Sequence, residues 1–399
     1  MANILMLSNG HGEDLSGSLL ARALMAMGHH VHALPLAGLG RPYLQADVPL
    51  LGSSHEFSTG GIGYTSLRGR LTELVQGQIF YLLRRLIRLL RQAHRFDLIV
   101  VVGDVIPVIA AWLSRRPVAT YLVAYSSHYE GRLRLPWPCG ELLATRRFRA
   151  VFSRDQLTAD DLSEQLKRPV DFLGNPFMDP VLTPAPALPP SPLHSRPTPA
   201  PRYRIGLLPG SRRPELENNL RLLLQLIQRL PTSAGLSADL ALVSNLDDAT
   251  LLALAESVGW TLEQGVLQRS EAVPITVRRG SFQAVLQQSD LVIGMAGTAI
   301  EQAVGLAKPA LQLPGKGPQF TAAFAEAQRR LLGPTVFCAP GNTGTPENMQ
   351  ASAELTLQLL ERILSDLNLQ RQCQTEAGKR LGQHGGGRRM AAAISALLR

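Results

Sequence analysis

The sequence predicts an α/β fold of two doubly wound domains, each a parallel β-sheet with helices on both faces. The chain has 399 residues, too many for one ordinary core at about 150 residues per domain. Short, almost continuously apolar segments alternate with helical patterns along its length, as in buried parallel sheets. A proline-rich stretch between Pro184 and Pro201 interrupts this alternation and predicts a linker, because proline is excluded from helix interiors and central strands.

These observations divide the chain into a first domain over residues 1–180, a linker over 181–202, a second domain over 203–370 and a helical tail over 371–399. In doubly wound sheets ligands bind beyond the carboxyl ends of the strands, so we expect the two domains to face each other across a cleft.

In the first domain, apolar runs predict strands at Asn3–Leu7, Val31–Leu34, Asp97–Val102, Val118–Ala124, Ala150–Ser153 and Val170–Leu173. Helical periodicity predicts helices at Asp14–Met27, Leu71–Ala93, Val108–Arg115 and Gln156–Lys167. In the second domain, strands are predicted at Tyr203–Leu208, Asp239–Val243, Asp290–Ile293, Pro309–Leu313 and Thr335–Cys338. Helices are predicted at Glu217–Arg229, Ala249–Val258, Phe282–Gln288, Thr298–Gly305, Phe320–Leu331 and Glu354–Leu367.

Composition narrows the class of partner. The formal net charge is +9, mostly from arginine, which suits nucleic acid, an anionic membrane surface or simple solubility. Aromatic residues make up only 5%, and no RNA-binding or zinc-finger signature is present, so we expect no nucleic-acid partner. The three cysteines are far apart and fit neither a disulfide framework nor a metal site, which predicts a cytoplasmic protein. The apolar run Leu98–Leu113 is too short for a membrane span and contains Asp104.

Two segments of the second domain carry the functional prediction. GLLPGSRRPELE (Gly206–Glu217) and DLVIGMAGTAIEQA (Asp290–Ala303) each have the pattern strand, glycine turn, helix start. Such turns direct backbone N–H groups and a positive helix end toward a bound anion. The candidate diphosphate-binding residues are Gly210, Ser211, Arg212, Gly297 and Thr298, and Glu301 is the candidate partner of a ribose diol.

The ordinary alternatives are a β–α turn with a solvated arginine and a capping box formed by Thr298 and Glu301. The paired glycine turns favour the functional interpretation. Together they predict a nucleotide-sugar site.

Candidate acid–base residues lie in the first domain. The loop NGHGED (Asn9–Asp14) follows the first strand, and His11, Glu13 or Asp14 could act as a base or contact an acceptor phosphate. The two carboxylates could instead cap the following helix. Asp104, at the carboxyl end of an apolar strand, could take a proton or cap the helix after Pro107. The chain contains no D-x-D triplet, so we expect a reaction without a metal or other cofactor.

A basic amphipathic helix could contact a membrane. Around residues 78–95, one apolar stripe is flanked by arginines; the stripe is Ile79, Leu83, Leu86, Ile87 and Leu90, and the arginines are Arg84, Arg88, Arg91 and Arg95. Such helices can lie on anionic lipid headgroups, although a core-facing helix with a solvated arginine edge is commoner. Trp137 in the loop RLRLPWPCG is flanked by arginines and also suits a membrane interface.

Four segments resemble the motifs of lipid-A-disaccharide synthases, and they occur along the chain in the same order as in that family. GLLPGSRRPELE is similar to their L-P-G-S-R-x-x-E element and GMAGTAIEQA to their S-G-T-A-T-L-E-A element. VVGDVIP (Val101–Pro107) resembles their I-D-x-P-D loop, and FLGNP (Phe172–Pro176) their F-V-G-H-P. The segment Leu313–Ala327 also resembles a region of the related peptidoglycan N-acetylglucosaminyltransferase, with Gln319 at the glutamine that contacts the donor sugar.

This resemblance implies a two-domain GT-B fold, with the acceptor bound by the first domain and the nucleotide-sugar donor by the second. It also implies metal-independent transfer of a glucosamine-type sugar. The donor would be a UDP-sugar, and the acceptor a lipid or polyprenyl-linked molecule at an anionic cytoplasmic membrane surface. The tail 371–399 would pack back on the first domain. The chain departs from the family pattern in four places. NGHGED replaces A-G-E-x-S-G-D, and Asn175 replaces a histidine. The second aspartate of the I-D-x-P-D loop is apolar, and the family's P-N-x-x motif has no clear match after Gln319. The motifs of the donor-binding half therefore match the family better than those of the acceptor-binding half. Two other functions remain as alternatives, a nucleotide-sugar epimerase and a non-catalytic nucleotide-sugar-binding protein.

Overall fold

The computed structural model describes residues 1–52, 78–129, 131–192, 201–213, 215–244, 246–295, 297–315, 321–341 and 344–398, without the side chains of residues 11, 78 and 79. The chain forms two compact units. Residues 1–179 and 382–399 make up the first unit, and residues 180–381 the second. Of the predicted tail 371–399, the structure thus assigns residues 382–399 to the first unit and residues 371–381 to the second.

The first unit is built on a five-stranded parallel sheet. Its strands are β1 (Asn3–Ser8), β2 (His30–Pro35), β3 (Leu98–Val102), β4 (Val118–Leu122) and β5 (Phe148–Ser153), in the order β2–β1–β3–β4–β5. Both faces are buried: Leu5 and Leu7 pack into one core cluster and Ile4 and Met6 into the other. This two-sided burial explains the continuous apolar runs in the sequence.

Helices cover this sheet on both faces. They are α1 (His11–Ala26), α2 (Arg41–Gln45), α3 (Gln78–Gln92), α4 (Val105–Leu113), α5 (Cys139–Leu143), α6 (Gln156–Leu166) and, after α7 (Asp179–Leu182) at the unit boundary, the C-terminal α15 (Gly386–Ala396). The strand predicted at Val170–Leu173 is wrong: this segment makes only an isolated bridge between Asp171 and Phe152. The predicted helix Leu71–Ala93 extends into residues outside the described part of the chain.

The C-terminal helix α15 packs against α1. The Asp179 carboxylate accepts hydrogen bonds from the N–H groups of Gly385, Gly386 and Gly387 at 2.7–3.0 Å. A Cβ atom on Gly386 would lie 2.6 Å from the Gly174 carbonyl carbon, so this approach requires glycine. The triple glycine therefore begins α15 and anchors it to the first unit.

The second unit has an eight-stranded sheet. Its strands are β6 (Tyr203–Leu208), β7 (Leu236–Leu242), β8 (Thr261–Glu263), β9 (Val266–Gln268), β10 (Ile275–Arg279), β11 (Leu291–Gly294), β12 (Ala310–Gln312) and β13 (Val336–Cys338), in the order β13–β12–β11–β6–β7–β10–β9–β8. The first six positions in this order are parallel, and β9 and β8 extend the sheet antiparallel. The sequence prediction missed β8, β9 and β10.

The helices of the second unit are α8 (Glu215–Ile227), α9 (Asp248–Glu256), α10 (Phe282–Gln288), α11 (Thr298–Gly305), α12 (Ala322–Leu332), α13 (Pro346–Ser365) and α14 (Leu367–Glu376), followed by a π-helical turn, Ala377–Leu381. Its core contains leucines from β6, β7 and α8. Among the described helices of both units, none combines the length and hydropathy needed to cross a bilayer.

Each unit has one topological switch point. The chain leaves β1 toward β2 on one side and later returns to β3 on the other side. In the second unit it leaves β6 toward β7 and later returns to β11 on the opposite side. Ligands of doubly wound sheets bind in the crevice that opens beyond the strand ends at such points. The residues after β1, β3, β6 and β11 are therefore the candidates for ligand binding.

Candidate functional site

The first turn of the second unit follows β6. Gly210 adopts a φ of +94°, a left-handed conformation that favours glycine. The buried Asn219 of α8 donates a hydrogen bond from Nδ2 to the Pro209 carbonyl at 2.9 Å. The Arg212 carbonyl accepts from the Leu216 N–H at 2.8 Å. These bonds fix the turn to the start of α8 and leave Gly210 and Ser211 exposed, with Arg212 partly buried beside them.

The second turn follows β11. Gly297 is the N-cap of α11, with a φ of +142° and no side-chain capping bond. A Cβ atom placed on Gly297 would meet no atom of the described residues within 4 Å. Thr298 is the first residue of α11, and Glu301 lies in its first turn. The alternative of a Thr298–Glu301 capping box is wrong, because the capping residue is the glycine.

The register of the sheet places the two turns side by side. Leu208, the last residue of β6, pairs with Gly294, the last residue of β11. A Cβ atom on Gly294 would lie 2.8 Å from the Leu208 carbonyl oxygen, so glycine allows this close approach. The starts of α8 and α11 therefore both lie at the switch point between β6 and β11. All five residues predicted to bind the diphosphate come from these two turns, as does Glu301, the predicted partner of the ribose. Gln319, the predicted contact of the donor sugar, lies outside the described residues.

The backbone N–H of Gly297, a residue predicted to bind the diphosphate, already has a hydrogen-bond acceptor within the protein. The Gly297 N–H donates to Gln328 Oε1 at 3.0 Å, and Gln328 Nε2 donates back to the Gly297 carbonyl at 2.9 Å. The Gly297 N–H and carbonyl therefore already have hydrogen-bond partners in this conformation, and a contact between Gly297 and a phosphate stays a prediction. At the second turn the first N–H groups of α11 and the Thr298 hydroxyl remain as candidates, because the first N–H groups of a helix lack intrahelical acceptors. Gln328 was not among the sequence candidates.

In the first unit, Asp104 lies at the switch point between β1 and β3. It is the N-cap of α4, and its Oδ1 accepts from the Ile106 N–H at 2.8 Å. Asn9, just after β1, donates from Nδ2 to both carboxylate oxygens at 3.1 and 3.0 Å. Burial raises the pKa of Asp104 above the usual aspartate range, partly offset by these hydrogen bonds. The capping role and a role as a base are compatible.

The carboxylates of the N-terminal loop have different surroundings. A Cβ atom placed on Gly10 would lie 2.5 Å from Glu13 Oε2, and one placed on Gly103 would lie 3.6 Å from Glu13 Cγ. The Glu13 side chain therefore lies between the ends of β1 and β3. His11 is the first residue of α1, and its side chain is outside the described part of the structure.

Asp14 is completely buried behind the same loop. Its Oδ1 accepts from the Ser8 hydroxyl at 2.6 Å, and Ser8 Oγ accepts in turn from the Tyr43 hydroxyl at 3.0 Å. Burial raises the pKa of Asp14 to about 7. A direct contact between Asp14 and a substrate does not fit this burial, so the residue supports the loop from inside.

A second polar cluster follows β4 and was not singled out from the sequence. The Ser126 hydroxyl donates to the buried Asp155 Oδ2 at 2.7 Å, and His128 Nε2 lies 3.8 Å from Asp155 Oδ1. The neighbouring Tyr125 hydroxyl accepts from the Val105 N–H at 3.0 Å, next to Asp104. The sequence signal was the polar run YSSH directly after an apolar strand. This cluster extends the polar edge of the first unit from β1 to β5.

Asn175, which stands where the resembling family has histidine, is a core residue. It is fully buried, accepts a hydrogen bond from the Tyr121 hydroxyl and donates from Nδ2 to the Arg154 carbonyl at 2.9 Å. Its contacts are structural. Within the described ranges, no group of three or more His, Cys, Asp or Glu side chains is placed to hold a metal ion.

The helix α3 exposes its apolar side. Phe80, Leu83, Ile87 and Leu90 are 73%, 50%, 40% and 45% exposed. Leu89 is buried, as is Arg85, which bonds to the Tyr81 hydroxyl and the Leu51 carbonyl. The predicted stripe is thus split: Leu86 packs toward the core, whereas Leu83, Ile87 and Leu90 face outward with Arg84 and Arg91. Trp137 is 82% exposed.

No family model and no curated protein sequence matches this chain. Solved structures match over the whole chain at low identity. The calicheamicin glycosyltransferase CalG4 aligns with a TM-score of 0.60 and 16% identity, covering 100% of this chain and 98% of that one. MnaA of Staphylococcus aureus, solved with UDP, aligns at 0.58 and 15%, covering 100% and 97%.

The UDP-GlcNAc 2-epimerase of Neisseria meningitidis, solved with UDP-GlcNAc, aligns with a TM-score of 0.52 and 14% identity over 100% of both chains. The structural neighbours are thus GT-B glycosyltransferases and UDP-GlcNAc 2-epimerases. The chain has the GT-B architecture of two Rossmann-like domains, which confirms the predicted fold class. At such low identity the likeness shows the fold, and function has to be argued from the site.

Proposed function

We propose that this protein is a UDP-sugar-dependent glycosyltransferase similar to lipid-A-disaccharide synthase. It would transfer a sugar, of the glucosamine type, from UDP to a lipid or polyprenyl-linked acceptor at the cytoplasmic membrane surface. The observation that carries the proposal is the pair of glycine turns at the β6–β11 switch point. The helices α8 and α11 both begin there, and the two turns also carry Arg212 and Glu301. Doubly wound sheets bind nucleotides at such a point.

The donor half follows from the chemistry of that switch point. The diphosphate would lie against Gly210, Ser211 and Arg212 and the start of α11, where N–H groups, helix ends and a guanidinium stabilise negative charge. Glu301, in the first turn of α11, would accept hydrogen bonds from the ribose hydroxyls. As the glycosidic bond breaks, these same donors would stabilise the UDP leaving group. Gln319 remains a candidate for the donor sugar on resemblance alone.

The acceptor half has Asp104 as its best candidate base. The residue lies at the switch point of the first unit, Asn9 holds both of its oxygens, and its raised pKa makes it a better proton acceptor than an ordinary aspartate. It would take the proton of the attacking acceptor hydroxyl. Glu13 lies close by and is the second candidate, and His11 the third.

The outward face of α3 supports a membrane partner. Four exposed apolar side chains lie beside exposed Arg84 and Arg91, a combination that suits the headgroup region of an anionic bilayer. Trp137, exposed in the arginine-flanked loop of the same unit, fits such an interface. A lipid-linked acceptor would require a surface of this kind.

The epimerase alternative is favoured by one observation, namely that a UDP-GlcNAc 2-epimerase solved with UDP-GlcNAc is among the structural neighbours. One experiment separates the two. The purified protein is incubated with UDP-N-acetylglucosamine labelled in the sugar, with and without a membrane lipid extract. Label transferred to the lipid phase together with release of UDP supports a glycosyltransferase. Label that stays on UDP as an epimerised sugar supports an epimerase, and no reaction with intact UDP binding supports a binding protein.

A further inference from the structure

The Gly297 turn is held by a side-chain amide from a distant part of the chain. Gln328, in α12, accepts from the Gly297 N–H and donates to the carbonyl of the same residue, at 3.0 and 2.9 Å. A side-chain amide carries a donor and an acceptor on one planar group whatever the pH, so it suits this two-point contact. The bonds are well shielded, because Gln328 is only 5% exposed.

A second amide fixes the first. Gln312, the last residue of β12 and fully buried, donates from Nε2 to Gln328 Oε1. The Cys338 thiol, at the end of β13, lies 3.7 Å from Gln312 Oε1. A relay of polar groups thus runs from the half-buried Cys338 at the end of β13 through the buried Gln312 and Gln328 to the turn after β11. Buried networks of this kind set one conformation when every member is satisfied.

The position of this relay gives it a functional meaning. Gly297 has a φ of +142°, and within the described part of the chain no atom crowds its Cα, so local sterics alone do not fix the conformation of the turn. The helix that carries Gln328 begins at Ala322, directly after the segment with Gln319. Gln328 therefore ties the phosphate-binding turn to the helix that follows the candidate donor-sugar segment.

We propose that Gln328 is a positioning residue for the nucleotide diphosphate. By clamping the Gly297 peptide, with Gln312 behind it, it would orient the start of α11 and the Thr298 hydroxyl toward the phosphates. The inference rests on the proposed UDP-sugar function. Without the clamp, the productive turn becomes one of several conformers, and the apparent affinity for UDP falls in proportion to its population.

The test uses the full chain with Gln328→Met, which keeps the length of the side chain and removes both hydrogen bonds, and Gln328→Glu, which keeps only the acceptor. The matched control is Gln287→Met, because Gln287 also bonds backbone carbonyls, those of Val181 and Thr183, but away from the turns. Hydrogen exchange of the Gly297 amide and calorimetric UDP titration are measured on each variant, at a temperature at which near-ultraviolet circular dichroism shows it folded.

We expect Gln328→Met to lose protection of the Gly297 amide and to raise the dissociation constant of UDP about tenfold, corresponding to a productive population of about one tenth. Gln328→Glu should keep that protection, and Gln287→Met should bind UDP like the wild type. Unchanged UDP affinity in folded Gln328→Met, or unchanged exchange, would overturn the positioning role. If the wild type itself binds no UDP, the proposed function fails and the positioning role with it, while the exchange data still decide whether the clamp exists.

Discussion

At the scale of single residues, burial sorts the candidate carboxylates into different roles. Asp104 lies at a strand end with its oxygens held by Asn9, whereas Asp14 is enclosed behind the loop with Ser8 and Tyr43. Gly17 makes room for this enclosure, since a Cβ atom there would lie 2.0 Å from the Tyr43 hydroxyl. The sequence alone did not show that the two aspartates differ in burial, because each lies near the start of a helix that follows a strand.

Asp14 should make stability depend on pH. Its pKa is raised to about 7, so between about pH 4 and pH 7 the folded state binds more protons than the unfolded state, and stability falls as pH rises through this range. Asp14→Asn keeps an acceptor for Ser8 and cannot ionise. We expect its free energy of unfolding, measured by urea titration from pH 5 to pH 8, to vary less with pH than that of the wild type. Parallel pH dependences would show that Asp14 is ionised in the fold throughout.

Asp104→Asn tests the candidate base. Asparagine is as good an N-cap as aspartate, so α4 should be retained while the proton acceptor is lost. We expect turnover to fall by about 10²-fold or more, with UDP affinity unchanged. Asp366→Asn is the matched control, because Asp366 caps α14 in the second unit through the Asn368 and Leu369 N–H groups. Full turnover by Asp104→Asn would transfer the role to Glu13 or His11.

At the scale of elements, the sequence was most informative where one local rule decides the structure. Three elements, β6, α10 and α11, have the predicted bounds, since a buried apolar run or a glycine turn delimits each. The hairpin β8–β9 was missed because its strands have three residues each, and β10 because it ends in Arg278 and Arg279. Arg278 is accommodated by an ion pair with the buried Asp239 at 2.6 Å, a partner 39 positions away in sequence.

The same limitation explains what the sequence missed at the sites. The glycine turns were visible as local motifs, but the bonds between Gly297 and Gln328 join residues 31 positions apart. The face of α3 was also ambiguous, because apolar residues lie on both its sides. Burial of Arg85 against the Leu51 carbonyl and Tyr81 decides which side turns outward. Pairings between distant segments are set by the tertiary fold, which local patterns do not contain.

The outward face of α3 can be tested directly. Leu83→Gln combined with Ile87→Gln removes two half-exposed apolar side chains without touching the buried Leu89. We expect binding to vesicles with anionic lipid, measured by co-sedimentation, to fall about tenfold or more, since burial of such side chains contributes on the order of 1.5 kcal/mol each. Wild-type binding should also weaken as salt is raised.

Leu364→Gln serves as the control for that experiment, because Leu364 is equally exposed but lies on α13 of the second unit. It should leave vesicle binding unchanged. If the wild type does not bind anionic vesicles even at low salt, α3 is not a membrane surface, and a lipid acceptor loses its support.

At the scale of the whole molecule, the two units repeat one design. Each has a parallel sheet whose first strand lies beside the switch point, and each places its candidate residues on the turns at that point. The two doubly wound sheets follow from the alternation of strands and helices, which the sequence displays on either side of the proline-rich stretch. The chemistry depends on a few side chains at the strand ends, so the fold was easier to predict than the acceptor.

The central claim is that the β6–β11 switch point binds a uridine diphosphate group. The most direct measurement is calorimetric titration of the wild type with UDP, without added metal, alongside Arg212→Ala and Arg213→Ala. Arg213 is the matched control, since it is paired with Glu217 at 2.5 Å. We predict saturable UDP binding that Arg212→Ala weakens about tenfold or more and Arg213→Ala leaves nearly unchanged. A wild type that binds no UDP, or an Arg212→Ala variant with full affinity, would contradict the account.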